Sequence, residues 1–264
     1  MDWKLLDKVI SLIFFIFLLI FPSCTLSSEN LPAIKTRPGE IVENHDHYGT
    51  FFTYVPEEVE NPRLLALIHG TPLEGVDPEP YARYYASNWT DFADREGIVL
   101  IAPVFNQADF SSRYGDRARG GYRGLFGREI GADAWLIRLV EAHQAVLGGE
   151  GAKFFLYGHS AGGQFAARFL VTHPELVEQA VISSAATYPQ PMDDVSWPFG
   201  MGEFEADLVW DDGTITHEQI LLDVETWLSA TQVPLTVIVG LNDTTDIRPD
   251  LIPGQQGTDR ITIG

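Results

Sequence analysis

The stretch Lys153-Phe154-Phe155-Leu156-Tyr157-Gly158-His159-Ser160-Ala161-Gly162-Gly163-Gln164 decides the fold. Four apolar and aromatic residues, Phe154 to Tyr157, end at a cluster of small residues, and helical spacing begins at Gln164 and runs through Phe165, Ala166, Phe169 and Leu170. The pattern predicts strand, tight turn, helix. Its turn has the form G-x-S-x-G, in which small residues flank a serine held on a sharp bend, so that the hydroxyl projects from the top of a sheet. Side chains at Gly158 and Gly162 would collide with the neighbouring strand or helix. Ser160 therefore reads as a nucleophile. The plainer alternative is a helix N-cap serine after a glycine-rich turn.

Working outward, Arg63–Ile68 (RLLALI), Ile98–Ala102 and Gln179–Ser184 are short runs dominated by apolar residues, the pattern of strands buried on both faces. Pro234–Val239 is expected to be the last such strand. Helical spacing separates them over Pro80–Glu96, closed by Gly97, and over Glu129–Leu147, stopped by Gly148-Gly149. Ile34–Val42 and Gly49–Val55 alternate loosely, as edge strands do. Strands alternating with helices predict an α/β fold: a mostly parallel central sheet flanked by helices, with ligands beyond the carboxyl ends of the strands. Three strands end in candidate chemistry there: one in His69-Gly70-Thr71, one in the serine turn, one in Gly240-Leu241-Asn242-Asp243.

Two segments break the rhythm. Asn106–Gly127 is rich in glycine and arginine and reads as a long loop, either a solvated excursion or a wall of the substrate cleft whose arginines meet an anionic or carbonyl-rich ligand. Ala185–Thr214 holds three prolines and two tryptophans and reads as an insertion or cap extending to about residue 230. Within it, Thr216-His217-Glu218-Gln219 has the capping-box form and predicts a helix through Leu221, Val224, Trp227 and Leu228.

On Gly158-His159-Ser160-Ala161-Gly162, the His69-Gly70 pair and the order serine then acid, the chain resembles the α/β-hydrolase superfamily over roughly Gly49 to Asp243. The likeness is greatest to secreted esterases and lipoproteins of the polyhydroxybutyrate depolymerase or feruloyl esterase kind. The resemblance implies hydrolysis of small-molecule or polymeric carboxylic esters through an acyl-enzyme, with no cofactor and no metal. It implies Ser160 as nucleophile, Asp243 as the acid with Asp246 the runner-up, and the backbone N–H groups of Thr71 and Ala161 as the oxyanion hole; Pro72 has no N–H to offer. His69 is then a brace of its loop, and His159 points away from the nucleophile. The family order places the base after the acid, yet all seven histidines (His45, His47, His69, His143, His159, His173, His217) precede Asp243, and 21 residues follow it. The expectation is a fragment lacking the last strand, the histidine loop and the final helix, and nearly inactive as written. An upstream substitute, with His217 the least implausible, is the other option. The competing function is a non-catalytic, envelope-anchored binding protein of the same fold. His45-Asp46-His47 has no third ligand nearby in sequence, which argues against a metal site.

With 37 acidic against 17 basic side chains the formal charge is -20, which repels anionic surfaces and excludes nucleic acid as a partner. At the amino end, Val9–Phe21 is an apolar run of 13 residues broken by Pro22, short for a bilayer span and suited to a secretory signal. Residues 1–23 thus read as a signal peptide or an amino-terminal anchor, 24–33 as a polar tether and 34–264 as the hydrolase domain. Cys24, the only cysteine, follows the apolar run as the acylated cysteine of a bacterial lipoprotein does. The expected location is the cell envelope or outside the cell, with membrane contact only through this amino-terminal signal or lipid anchor.

Overall fold

A computed structural model describes residues 31–72, 76–110, 121–210 and 212–241. Nine strands occur among them: β1 (Ile41–His45), β2 (Thr50–Tyr54), β3 (Arg63–Ile68), β4 (Ile98–Pro103), β5 (Phe154–His159), β6 (Val177–Ser183), β7 (Phe204–Val209), β8 (Ile215–Ile220) and β9 (Leu235–Ile238). Seven form one sheet in the order β1-β2-β4-β3-β5-β6-β9. The β1–β2 and β2–β4 pairs are antiparallel and the other four are parallel. This is the mostly parallel sheet that the apolar runs predict.

Side chains alternate across a strand, so a strand buried on both faces feeds two cores. In β3, Leu64, Ala66 and Ile68 enter one cluster with Phe154, Leu156, Phe165 and Trp135, while Leu65 and Leu67 enter the other with Leu100, Ala82, Ala86 and Ala93. The first cluster is roofed by helices α4 (Ala132–Leu147) and α5 (Ala161–Thr172), the second by α1 (Pro78–Asn88) and α2 (Thr90–Glu96). A short α3 (Gln107–Phe110) carries Phe110 onto Trp135, rings stacked at 5.0 Å. At about 1.5–3 kcal/mol for each large apolar side chain buried, these two layers hold the sheet between them. No helix among the described residues is long and apolar enough to cross a membrane.

Several local expectations shift. Pro80–Glu96 is two helices, because Trp89 (φ -109°, ψ 0°) leaves the helical range between them; Asp77 caps the first through the Glu79 N–H, and Gly97 (φ 63°) ends the second. The first strand starts at Ile41 rather than Ile34, because the Asn44 side chain takes both hydrogen bonds of Lys35 (2.7 and 3.0 Å) and replaces a strand ladder there. The Thr216-His217-Glu218-Gln219 tetrapeptide opens no helix. It lies in β8, which pairs antiparallel with β7 as a separate hairpin. The helix that follows, α6 (Val224–Ala230), is capped by Asp223, whose carboxylate accepts from the Thr226 N–H at 2.6 Å. Finally, β9 is not a buried strand. It stands at the edge of the sheet beside β6, with Leu235 and Ile238 about half exposed.

Candidate active site

Ser160 follows β5 directly and precedes the first residue of α5. Its backbone sits at φ 56°, ψ -115°, a left-handed position costly for a side-chain-bearing residue and found where a fold has a use for it. The turn is pinned from both sides: the Ser160 N–H donates to the Ser183 carbonyl at the end of β6 (2.8 Å), and the Ser160 carbonyl accepts from the Gln164 N–H (3.1 Å). The glycines explain how so tight a bend fits. A Cβ at Gly158 would lie 2.0 Å from the Gly162 oxygen, and one at Gly162 would lie 2.1 Å from the Ile68 oxygen. Although Ser160 occupies the N-cap position, its side chain makes no capping hydrogen bond. The hydroxyl is half-buried and bonds to no described residue, so capping is not its use.

Beside the elbow runs the loop that leaves β3. Gly70 abuts Ser160: a Cβ at Gly70 would stand 3.3 Å from the Ser160 Cβ. His69 is wholly buried and holds this loop with both ring nitrogens. Nε2 accepts the Phe105 N–H (3.0 Å), so Nδ1 carries the proton and donates to the Gly70 carbonyl (2.7 Å). Burial keeps the ring neutral, lowering its pKa from 6.5 to about 4 against a smaller upward pull from the Gly70 carbonyl. In a trans peptide the C=O and the following N–H point in opposite directions. Turning the Gly70 carbonyl toward His69 therefore turns the Thr71 N–H away from it. The His69 carbonyl accepts from the Tyr122 hydroxyl (3.2 Å), and the Thr71 hydroxyl accepts from the Arg123 guanidinium (2.7 Å), so the 3-10 turn Gly121–Gly124 grips the loop at two points. Burial raises the Tyr122 pKa to about 12 and leaves its hydroxyl a donor at neutral pH.

The seven histidines are all among the described residues, and each is occupied elsewhere. His159 faces Ser183 Oγ (3.1 Å) and the Tyr85 ring; His143 is buried between the Thr53 hydroxyl (2.8 Å) and the Leu139 carbonyl (2.6 Å); His173 meets Asp133 (2.9 Å). His45 pairs with Glu43 and His47 with Glu129, so the two diverge onto separate carboxylates. His217 is exposed on β8 beside Asp207 (3.1 Å). Ser160 thus has two candidate oxyanion donors nearby, and no histidine is hydrogen-bonded to its hydroxyl among the described residues. Asp243 and Asp246 lie outside the described residues, as does Cys24; β9, which precedes the two aspartates, runs parallel to β6 and so leaves the sheet at the same end as β5.

Sequence patterns did not single out Arg168. It lies on α5, fully buried; Nε donates to the Pro198 carbonyl (2.9 Å), one terminal nitrogen to the Arg123 carbonyl (2.9 Å), the other to the Thr187 hydroxyl (3.0 Å). The helix carrying the nucleophile candidate is thereby tied to both irregular segments. The available signal was a lone charge within Phe165-Ala166-Ala167-Arg168-Phe169-Leu170. A cavity of about 410 Å³ lies at the amino ends of β5, β6 and β9, lined by Lys153, Val177 and Pro234, and so at the end of the sheet opposite Ser160.

No family model matches the sequence, and no curated protein matches it. Solved structures do. Poly(aspartic acid) hydrolase-1 from Sphingomonas sp. KT-1 aligns with TM-score 0.57 and 21% identity over 80% of this chain and 74% of its own. LpqC, a poly(3-hydroxybutyrate) depolymerase from Bordetella parapertussis, aligns with TM-score 0.53 and 19% identity over 83% and 71%. With the strand order and the elbow, these likenesses show that the chain has the α/β-hydrolase fold.

Proposed function

We propose that the protein is a serine hydrolase acting on carboxylic esters through an acyl-enzyme. The observation that carries this reading is Ser160 on its strained elbow, with its hydroxyl bonded to no described residue and the Gly70-Thr71 loop against it. Ser160 Oγ attacks the ester carbonyl. The N–H groups of Thr71 and Ala161 receive the developing oxyanion, the second at the positive end of helix α5. His69 contributes by orienting the Gly70-Thr71 peptide rather than by moving a proton. Asp243 is the proposed acid, five residues past Ile238, with Asp246 the runner-up.

The general base is the missing part. Each of the seven histidines has another partner among the described residues, so the reading assigns the base to none of them. Removing the histidine of a serine triad costs on the order of 10⁶ in kcat, with residual catalysis from the oxyanion hole and binding. The same engaged histidines favour the second reading, a non-catalytic binding protein of this fold. One of the two similar structures is named for a polyester, poly(3-hydroxybutyrate), which supports polymeric as well as small esters here. The apolar run Val9–Phe21 and Cys24 support secretion or a lipid anchor in the cell envelope.

The test uses an activated ester, 4-nitrophenyl butyrate, and mass spectrometry. Without a base deacylation is slow, so a single butyryl adduct should accumulate on Ser160 and vanish in Ser160→Ala. Acylation that persists undiminished in Ser160→Ala, or never maps to Ser160, would leave the binding-protein reading.

A further inference from the structure

Most of the described arginines on this acidic chain have an evident occupation. Arg37, Arg95 and Arg128 pair with Glu40, Glu96 and Asp212, and Arg63 and Arg83 lie over the Phe155 and Phe52 rings. Arg123 differs. Its side chain donates to the Thr71 hydroxyl at 2.7 Å, and among the described residues no carboxylate pairs with it. A guanidinium has five donors in a planar fork suited to a carboxylate, and the neutral Thr71 and Tyr122 hydroxyls engage only part of it.

The cation is also held in place. Arg168 donates to the Arg123 carbonyl, and the adjacent Tyr122 donates to the His69 carbonyl, so the backbone on either side of this half-buried residue is anchored. Thr71 links it to the elbow: the residue before it abuts Ser160, and its hydroxyl carries the guanidinium. A rigid, incompletely paired cation one residue from the nucleophile loop fits a recognition group better than a surface charge.

We propose that Arg123 is a specificity-determining residue that binds a carboxylate on the acyl portion of the substrate, so that the preferred esters are half-esters of short dicarboxylic acids. This rests on the serine-hydrolase reading. The carbonyl oxygen and the carboxylate are received at the two ends of one residue, the Thr71 N–H and the group on its hydroxyl, which requires them to be a few bonds apart. On a chain of net charge -20 an anionic ester is otherwise disfavoured, so the preference depends on this local cation.

The experiment compares acylation of Ser160 by 4-nitrophenyl butyrate and by mono-4-nitrophenyl glutarate, followed by mass spectrometry with peptide mapping. In each case the Ser160 Oγ–acyl bond forms, the ester C–O bond breaks, 4-nitrophenolate leaves and the serine proton passes to solvent. The ratio of the two rates cancels the missing base. The glutarate ester is expected to react about tenfold faster in the wild type, the size of one charged hydrogen bond. Arg123→Gln should bring the ratio to one or below, Arg123→Lys should keep part of it, and added salt should shrink it. Both variants are checked for an unchanged circular dichroism spectrum, and a ratio that falls equally in Arg123→Lys and Arg123→Gln counts against the proposal. A wild-type ratio at or below one, or a ratio unmoved by Arg123→Gln, overturns the carboxylate site while leaving the nucleophile standing. Absence of any Ser160 adduct from both esters overturns the nucleophile reading and this inference with it.

Discussion

Acidification should remove stability through His69 and His143, and the size of the effect follows from their burial. Both rings are fully buried, and desolvation lowers each pKa from 6.5 to about 4 against a weaker upward pull from a backbone carbonyl. The sign is as follows: between pH 6.5 and 4 the unfolded chain binds protons that the folded chain refuses, so stability is full above about 6.5, falls with pH across that window and levels off below it. Each histidine, lowered from 6.5 to about 4, accounts for about 3 kcal/mol across the window, and near pH 5 the two together give a slope of about 2.4 kcal/mol per pH unit. That is a large part of the 5–15 kcal/mol typical of a domain. The assay is urea unfolding followed by tryptophan fluorescence at pH values from 8 to 4.5. Because easing of the -20 charge works in the opposite direction, the diagnostic quantity is a difference: His143→Gln, which can still bond Thr53 or Leu139, should lose about half of the slope. Parallel wild-type and variant curves from pH 6.5 to 4.5 would refute the reasoning, since His143 would then titrate as freely in the folded state as in the unfolded.

Ser160→Gly should raise the melting temperature, because glycine adopts φ 56° without the Cβ penalty; a gain of about 1 kcal/mol is expected, with loss of acylation at that position. Arg168→Met should cost about 3 kcal/mol or more in urea unfolding, because the Pro198 and Arg123 carbonyls and the Thr187 hydroxyl each lose a buried donor worth roughly 1 kcal/mol.

What could be read in the chain depended on whether local pattern and tertiary setting agreed. In β3, β4 and β5 apolar content, strand propensity and two-sided burial point the same way, and the glycines around Ser160 answer to backbone oxygens at Gly162 and Ile68 that leave no room for a Cβ. Thr216-His217-Glu218-Gln219 offered a capping-box pattern and no apolar alternation to set against it. The hairpin prevailed because β7 supplies a partner along its whole length, a long-range fact that no local rule contains. Leu235-Thr236-Val237-Ile238 looked buried because apolar content says what a strand would prefer, whereas exposure depends on what is packed against it. At the site, the serine was legible from its turn. The grip of Tyr122, Arg123 and Arg168 on the neighbouring loops was not, since each of those contacts spans 30 to 53 residues or more of sequence or joins a side chain to a carbonyl whose position no motif records.

The placement of Arg168 bears on how the molecule could be re-engineered. One cation bonds the turn at Arg123 and the segment at Thr187 and Pro198, so substitutions in those two stretches share a partner and their effects will not simply add. Changes aimed at substrate scope in either stretch will register in thermal stability as well. Libraries that vary the two stretches together, with Arg168 retained, should therefore reach folded variants that stepwise changes to one stretch miss.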